Sequence, residues 1–250
     1  MNIIVCIKPS SDSAERTNGS AYTLSTYDAS ALEMALSLKD VIENGRVTVL
    51  SMYPSTPKIK TVLKNTFKVG VDEVIHLSGI LFKGADTLAT SYALAMAINK
   101  IDKCNSINLI LCGKQSSDSN TSQVGGSIAE WLNIPHATCI SEVKIADAHI
   151  ECKRLLEDGF DNLRIELPAL LTIEKGKPLR PRTGDLIEAA RDRTIIEWGL
   201  DDINAEKAFC GKAGSPTKVD GSLIEDNLHG EGEVLSAEDL VERIRLLSVV

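Results

Sequence analysis

The chain has 250 residues, with 27 Lys plus Arg against 35 Asp plus Glu for a net charge of −8 and 43% hydrophobic content. That is enough apolar residue for one large α/β domain, or one domain with an extension, in an ordinary soluble protein. Aromatic residues are only 4%, which with the negative charge argues against a nucleic-acid surface of basic patches and stacking rings.

Residues 2–8 alternate little, are apolar from Ile3 to Ile7, and read as a strand buried on both faces. They do not follow the charged, apolar, small-residue order of a signal peptide. Residues 9–25, rich in Ser, Asp, Asn and Gly, read as a loop longer than a simple connection. Ser25 or Thr26 can cap a helix over 27–44, with Leu32, Ala35, Leu36, Lys39 and Ile42 along one side. Residues 46–52 form the next strand. Thr56-Pro57 opens a helix to about 69, with Pro57 at the tolerated first position, Ile59, Val62, Leu63 and Phe67 as its apolar stripe, and Gly70 as its stop. A third strand covers 73–78, Asp86 caps a helix over 87–101, and 107–112 is a fourth buried strand. Strict strand–helix alternation means βαβ units, a parallel sheet and helices on both faces. Ligands then bind beyond the carboxyl ends of the strands.

After Pro135 the pattern changes. Strands over 138–146, 149–156 and 161–174, joined by Ala146-Asp147-Ala148 and Glu157-Asp158-Gly159, read as an antiparallel extension. Residues 184–192 read as a short helix. Residues 199–234 are poor in apolar side chains and have no sustained period. Ser236-Ala237-Glu238-Asp239 then caps a last helix carrying Leu240, Ile244 and Leu247. Such a tail docks either on a partner or on its own domain. The expected organisation is a nucleotide-binding domain over 1–190, extension (about 138–174) included, followed by a C-terminal arm over 191–250. No apolar run approaches the roughly 18 residues of a membrane span.

The loop 112–126 leaves a buried strand, crosses small hydroxyl residues and enters a helix near Gln123. Free backbone N–H groups at a helix N-terminus make an anion site, suited to phosphate or pyrophosphate. A solvated serine-rich loop is the alternative. The loop is neither a P-loop nor a Rossmann fingerprint. Gly125 and Gly126 fall in the first helical turn, where glycine costs about 1 kcal/mol against alanine; close approach of a ligand or another helix would account for them. Thr87 and Thr90 share one face of their helix. They could donate to a ligand, although spacing alone favours bonds to their own helix carbonyls. The six cysteines form no C-x-x-C pair and read as buried free thiols in a reducing compartment, the cytoplasm. Four scattered histidines have no metal-ligand spacing, and no catalytic constellation is present. The chain reads as a nucleotide holder whose chemistry lives in the ligand.

Several segments carry a family resemblance in their order and spacing. They are Ile4-Val5-Cys6-Ile7-Lys8-Pro9, Tyr27-Asp28-Ala29-Ser30-Ala31-Leu32-Glu33, and Gly113-Lys114-Gln115 with Asp118, Thr121 and Gln123-Val124-Gly125. Further on come Arg154 with Glu157-Asp158-Gly159, Leu167-Pro168-Ala169-Leu170-Leu171-Thr172, Pro181-Arg182, and Gly214-Ser215-Pro216-Thr217-Lys218-Val219. Over nearly its whole length the chain resembles the β subunit of electron-transfer flavoproteins. The resemblance implies an adenine-nucleotide α-hydrolase-like (Rossmann-like) α/β fold and a heterodimer with a homologous α subunit that holds the electron-transferring FAD. It also implies a β-subunit site for structural AMP or, in bifurcating members, a second FAD.

By the same resemblance, nucleotide contacts fall on Cys6, Lys8, Ser25 and Met52, and on the 113–125 loop with Gly113, Gln115, Asp118, Asn120, Thr121, Ser122, Gln123, Val124 and Gly125. The stretch Lys83–Tyr92, with Asp86, Thr87 and Thr90, is similar to that of bifurcating members and favours FAD. The chain departs from the family's Asp-Gly-Asp-Thr-Ala-Gln-Val-Gly-Pro at 118–126, and has Ser25-Thr26 where many members have Asn-Pro. Where the family carries a dehydrogenase-anchoring leucine, Gly176 falls nearby and Leu179 substitutes, followed by Pro181 and Arg182. The implied activity is passage of electrons, in bifurcating fashion, from NADH or a similar donor to an acyl-CoA or other flavin dehydrogenase. A non-bifurcating carrier with AMP, and a stand-alone adenine-nucleotide sensor, are the alternatives. An ATP-pyrophosphatase-type enzyme would need glycines after the first strand, where Lys8-Pro9-Ser10-Ser11-Asp12-Ser13 has none.

Overall fold

The structure, a computed structural model, describes residues 1–11, 22–116, 120–146 and 149–217. The helix expected over 240–247, and the expected arm from 218 on, lie outside the described residues.

The first half of the chain follows the expected alternation. Strand β1 (Asn2–Cys6) is followed by β2 (Pro9–Ser11), β3 (Tyr22–Leu24), α1 (Thr26–Val41), β4 (Arg46–Met52), α2 (Pro57–Phe67), β5 (Glu73–Leu77), α3 (Thr87–Cys104), β6 (Leu109–Gly113) and α4 (Val124–Leu132). The caps are local and as read: Ser25, Thr56 and Asp86 each accept a backbone N–H three residues on. The stretch 9–25 departs from the expected loop, because β2 and β3 pair as an antiparallel ribbon, Pro9 opposite Leu24 and Ser11 opposite Tyr22.

The second half holds β7 (His136–Ala146), β8 (His149–Leu156), β9 (Gly159–Glu166), β10 (Ala169–Ile173), α5 (Gly184–Ala189) and β11 (Ile196–Trp198). One sheet contains all but β2 and β3, in the order β11-β5-β4-β1-β6-β10-β7-β8-β9. Pairing is parallel from β11 to β7 and antiparallel only at β7–β8 and β8–β9. The single strand expected over 161–174 is therefore two. Gly159–Glu166 alternates half-buried and exposed residues as an edge strand does, whereas Ala169–Ile173 is buried throughout and lies between β6 and β7.

Helices α1 and α2 cover one face, where Ile3, Val5, Val47 and Val49 meet Leu32, Leu36, Ile59 and Leu63. Helices α3 and α4 cover the other, where Ile4, Leu50 and Ile75 meet Tyr92, Ile98 and Ile128. The class is a doubly wound, mostly parallel α/β fold. Residues 199–217, read as the beginning of a tail, bury Ile203, Cys210 and Ser215. The Ser215 Oγ donates to the carbonyl oxygen of Gly211 at 2.8 Å and accepts the Asp86 N–H at 2.8 Å.

Candidate functional site

Strand β1 lies between β4 and β6, so the chain winds first to one side of β1 and later to the other. Loops leaving the carboxyl ends of β1 and β6 diverge at this switch point and open a crevice. It is a cavity of about 880 Å³, walled by the ends of β1, β4 and β6, the loop 79–86, and the first turns of α3 and α4.

Most of the expected contacts meet there. Cys6, Lys8, Met52, Asp86, Thr87, Thr90, Gly113 and Gln115 line the cavity, as do Thr121, Ser122, Gln123, Val124 and Gly125. Ser25 does not; its Oγ accepts the Asp28 N–H at 3.0 Å and caps α1. Asn120 does not line it either; it is exposed, with φ 50°. Asp118 lies outside the described residues.

The N-terminus of α4 has no side-chain cap at Gln123, so its first N–H groups are open to a ligand. The loop before it is shaped by a bond from the Asn120 N–H to the Ser116 carbonyl at 3.1 Å and from the Ser122 Oγ to the Gln115 Oε1 at 3.2 Å. The α3 N-terminus is closed instead. The Asp86 Oδ1 accepts the Ala89 N–H at 3.0 Å and its Oδ2 accepts the Thr217 N–H at 3.1 Å. Burial pushes the Asp86 carboxyl upward, but the N–H groups of Ala89, Thr217 and Leu88 outweigh it and hold the pKa below the usual value. Thr87 does not bond its own helix: its Oγ1 donates to the Gln123 Oε1 at 3.2 Å and bridges the two helix entrances.

The glycines are used differently from the expectation. A Cβ on Gly125 would stand 2.5 Å from Thr172 Cγ2 and 3.5 Å from Leu170 Cδ2. Its missing side chain lets α4 press on β10, a strand rather than a ligand or another helix. A Cβ on Gly126 would make only ordinary contact, 3.6 Å from His136 Nε2. Gly113 is the unanticipated requirement, since its Cβ would stand 2.6 Å from Asp28 Oδ1.

Asp28 itself was missed as a site residue. Its Oδ2 accepts the Lys8 N–H at 3.0 Å, and Gly113 donates a second backbone N–H. Burial dominates over these bonds and raises its pKa from 3.8 to about 7. An acidic residue three positions after a helix cap, behind a ligand-facing strand end, is a local signal for it. At the rim, Lys114 Nζ pairs with Glu174 at 2.8 Å, which together with its other neighbours raises its pKa despite partial burial.

None of the residues of the segment 175–182 lines the cavity. Gly176 N–H donates to Ser30 Oγ at 2.9 Å, and that hydroxyl donates to the Lys177 carbonyl at 3.2 Å. Arg180 grips Glu33 at 2.9 Å and Asp40 at 2.8 Å. Leu179 is half-buried against the α1-side core, while Pro181 and Arg182 are exposed. Among the described residues no group of three or more His, Cys, Asp or Glu could hold a metal ion, and no helix is long and apolar enough to cross a membrane.

Fold and crevice together define a doubly wound α/β protein with a nucleotide-sized site at its switch point. Residues 16–203 match the electron transfer flavoprotein domain, and the chain belongs to the electron transfer flavoprotein family. It is 36% identical to "Electron transfer flavoprotein subunit beta" of Clostridium acetobutylicum, covering 94% of this chain and 92% of that one. It is 35% identical to "Caffeyl-CoA reductase-Etf complex subunit CarD" of Acetobacterium woodii, over 97% and 94% of the two chains. It is 33% identical to "Acryloyl-CoA reductase electron transfer subunit gamma" of Anaerotignum propionicum, over the full length of both.

Proposed function

We propose that this chain is the β subunit of a cytoplasmic, heterodimeric electron transfer flavoprotein. In this reading the cavity holds FAD rather than AMP, and the complex divides electrons from NADH or a similar donor on the way to a partner flavin dehydrogenase. The observation that carries the reading is the Thr87–Gln123 bridge, which makes two helix entrances walls of one continuous cavity. AMP needs one phosphate site, whereas a dinucleotide with a pyrophosphate and a long arm uses donors at both.

The residues fit such a ligand. A cavity of about 880 Å³ is within the range of roughly 300–1,000 Å³ of ligand sites. The uncapped α4 N-terminus receives pyrophosphate through its N–H groups, supported by the hydroxyls of Thr121 and Ser122. Thr90 donates from α3, Thr87 donates there once it exchanges its bond to Gln123 for one to the ligand, and Asp86 holds that helix end in place. Ile7, Ile80, Phe82 and Leu94 supply apolar wall that excludes water from a flat ring. When bound, a flavin supplies hydride acceptance and electron relay. A heterodimer with an α subunit is in keeping with the relative named as a subunit beta, and an acyl-CoA-type flavin enzyme as electron acceptor with the relatives whose names carry acyl-CoA reductases.

The test is the flavin-to-protein ratio of the αβ complex after reconstitution with excess FAD. Two flavins per heterodimer are expected. One flavin plus one AMP would overturn the FAD reading and leave a non-bifurcating carrier. A chain that purifies alone with its nucleotide would instead be a sensor module.

A further inference from the structure

We propose that Cys6 and Cys112 form a dithiol site on the floor of the cavity, which a peroxide converts to an intramolecular disulfide. Cys6 ends β1 and stands in register opposite Cys112 on the parallel neighbour β6. Neighbouring strands lie about 4.8 Å apart, inside the Cα separation of roughly 4.4–6.8 Å that a disulfide spans. In-register residues project to one face. Both side chains belong to the α3-side core cluster, and both line the cavity. They are 8% and 6% exposed, so a small oxidant reaches them through the cavity alone. Cys6 is an expected nucleotide contact, and Cys112 has no part in the proposed electron transfer.

The step balances with a peroxide as oxidant. One sulfur, as thiolate, attacks the O–O bond and becomes a sulfenic acid while water leaves. The second thiol displaces the sulfenic hydroxyl as a second water, and the S–S bond forms. Two thiols and one hydrogen peroxide give one disulfide and two waters. The neighbouring Cys6 thiol, together with burial, raises the Cys112 pKa well above the usual thiol value, so the reaction accelerates on the alkaline side.

Shielding of the pair by bound nucleotide rests on the function proposed above; formation of the disulfide does not. The test treats the full-length chain, in complex with its α subunit and stripped of nucleotide, with hydrogen peroxide at mildly alkaline pH. Free thiols are then alkylated after unfolding, and peptides are mapped without reductant. The expected result is one cross-linked pair containing Cys6 and Cys112, with alkylation lost at both positions in step and restored by dithiothreitol. Exposed Cys104 reports oxidation independently. Cys6 and Cys112 still fully alkylated when Cys104 is oxidised would overturn the proposal, as would separate over-oxidation of each. In Cys112→Ser the cross-link is absent and Cys6 is trapped as a sulfenic acid by dimedone; the wild-type mapping decides the matter even where that variant does not fold. Saturating FAD or AMP is expected to suppress the cross-link. A cross-link equally fast with nucleotide present would support the dithiol site while removing the nucleotide from this cavity.

Discussion

Asp28 is a buried carboxyl whose titration reports on the fold. Its folded pKa of about 7 lies above the ordinary 3.8, so between those values the folded state binds more protons than the unfolded chain. Stability from this group therefore falls as pH rises through that window, with a slope of up to about 1.4 kcal/mol per pH unit. Asp28→Asn should flatten the dependence of urea-unfolding free energy between pH 5 and 7, whatever it does to the absolute value. Parallel wild-type and variant profiles would show that Asp28 is not the group responsible. Gly125→Val should drive side-chain atoms into Thr172 and Leu170 on β10, costing about 1–3 kcal/mol as overpacking does. Its loss of nucleotide should follow displacement of α4, so a lowered melting temperature must accompany it; nucleotide loss at unchanged stability would point to direct occupation of phosphate space. The double change Thr87→Val with Thr90→Val should weaken FAD by roughly 1–4 kcal/mol, assuming the two hydrogen bonds add. AMP affinity should barely change, and titration calorimetry with each nucleotide separates the two cases.

At the level of elements, the segment 175–182 is held to α1 by the ion pairs of Arg180 with Glu33 and Asp40. Burial pushes the Glu33 carboxyl up, but the hydrogen bonds and charge of Arg180 outweigh it and leave the pKa below the usual value. The pair's contribution is present above the unfolded pKa and is lost as pH falls through the folded one. Arg180→Ala should cost about 1.5–3 kcal/mol at neutral pH, the worth of hydrogen bonds to a charged group, and much less in acid. Limited proteolysis within 175–182 should rise with it; an unchanged cleavage rate would show that the Ser30 bonds alone hold the segment. Half-buried Leu179 leaves Pro181 and Arg182 as the projecting residues, so the proposed dehydrogenase contact is tested there. Arg182→Glu should slow electron delivery with flavin content unchanged.

For the whole molecule, we propose that the expected arm over 191–250 docks on the α subunit, and truncation tests this apart from folding. Residues up to Thr217 are anchored at Asp86 and Gly211. Truncation after Thr217 should leave the thermal unfolding transition of the isolated chain nearly unchanged and abolish co-purification with the α subunit. Retained co-purification would place the interface on the sheet domain.

What the sequence by itself determined is local. The caps at Ser25, Thr56 and Asp86, the apolar stripe of Ile59, Leu63 and Phe67, and the strand–helix alternation through β6 are set by neighbours three or four residues apart, and those neighbours are visible in one dimension. The position of the crevice followed, because a doubly wound sheet has only one switch point. Tertiary structure decided the rest. Ala169–Ile173 is inserted between β6 and β7 because a strand apolar on both faces must be covered on both. Gly125 is small because of Thr172, Gly113 because of Asp28, and Cys6 meets Cys112 across more than a hundred residues of chain. Each of these depends on which distant segments pack together, and no local period or spacing encodes that choice.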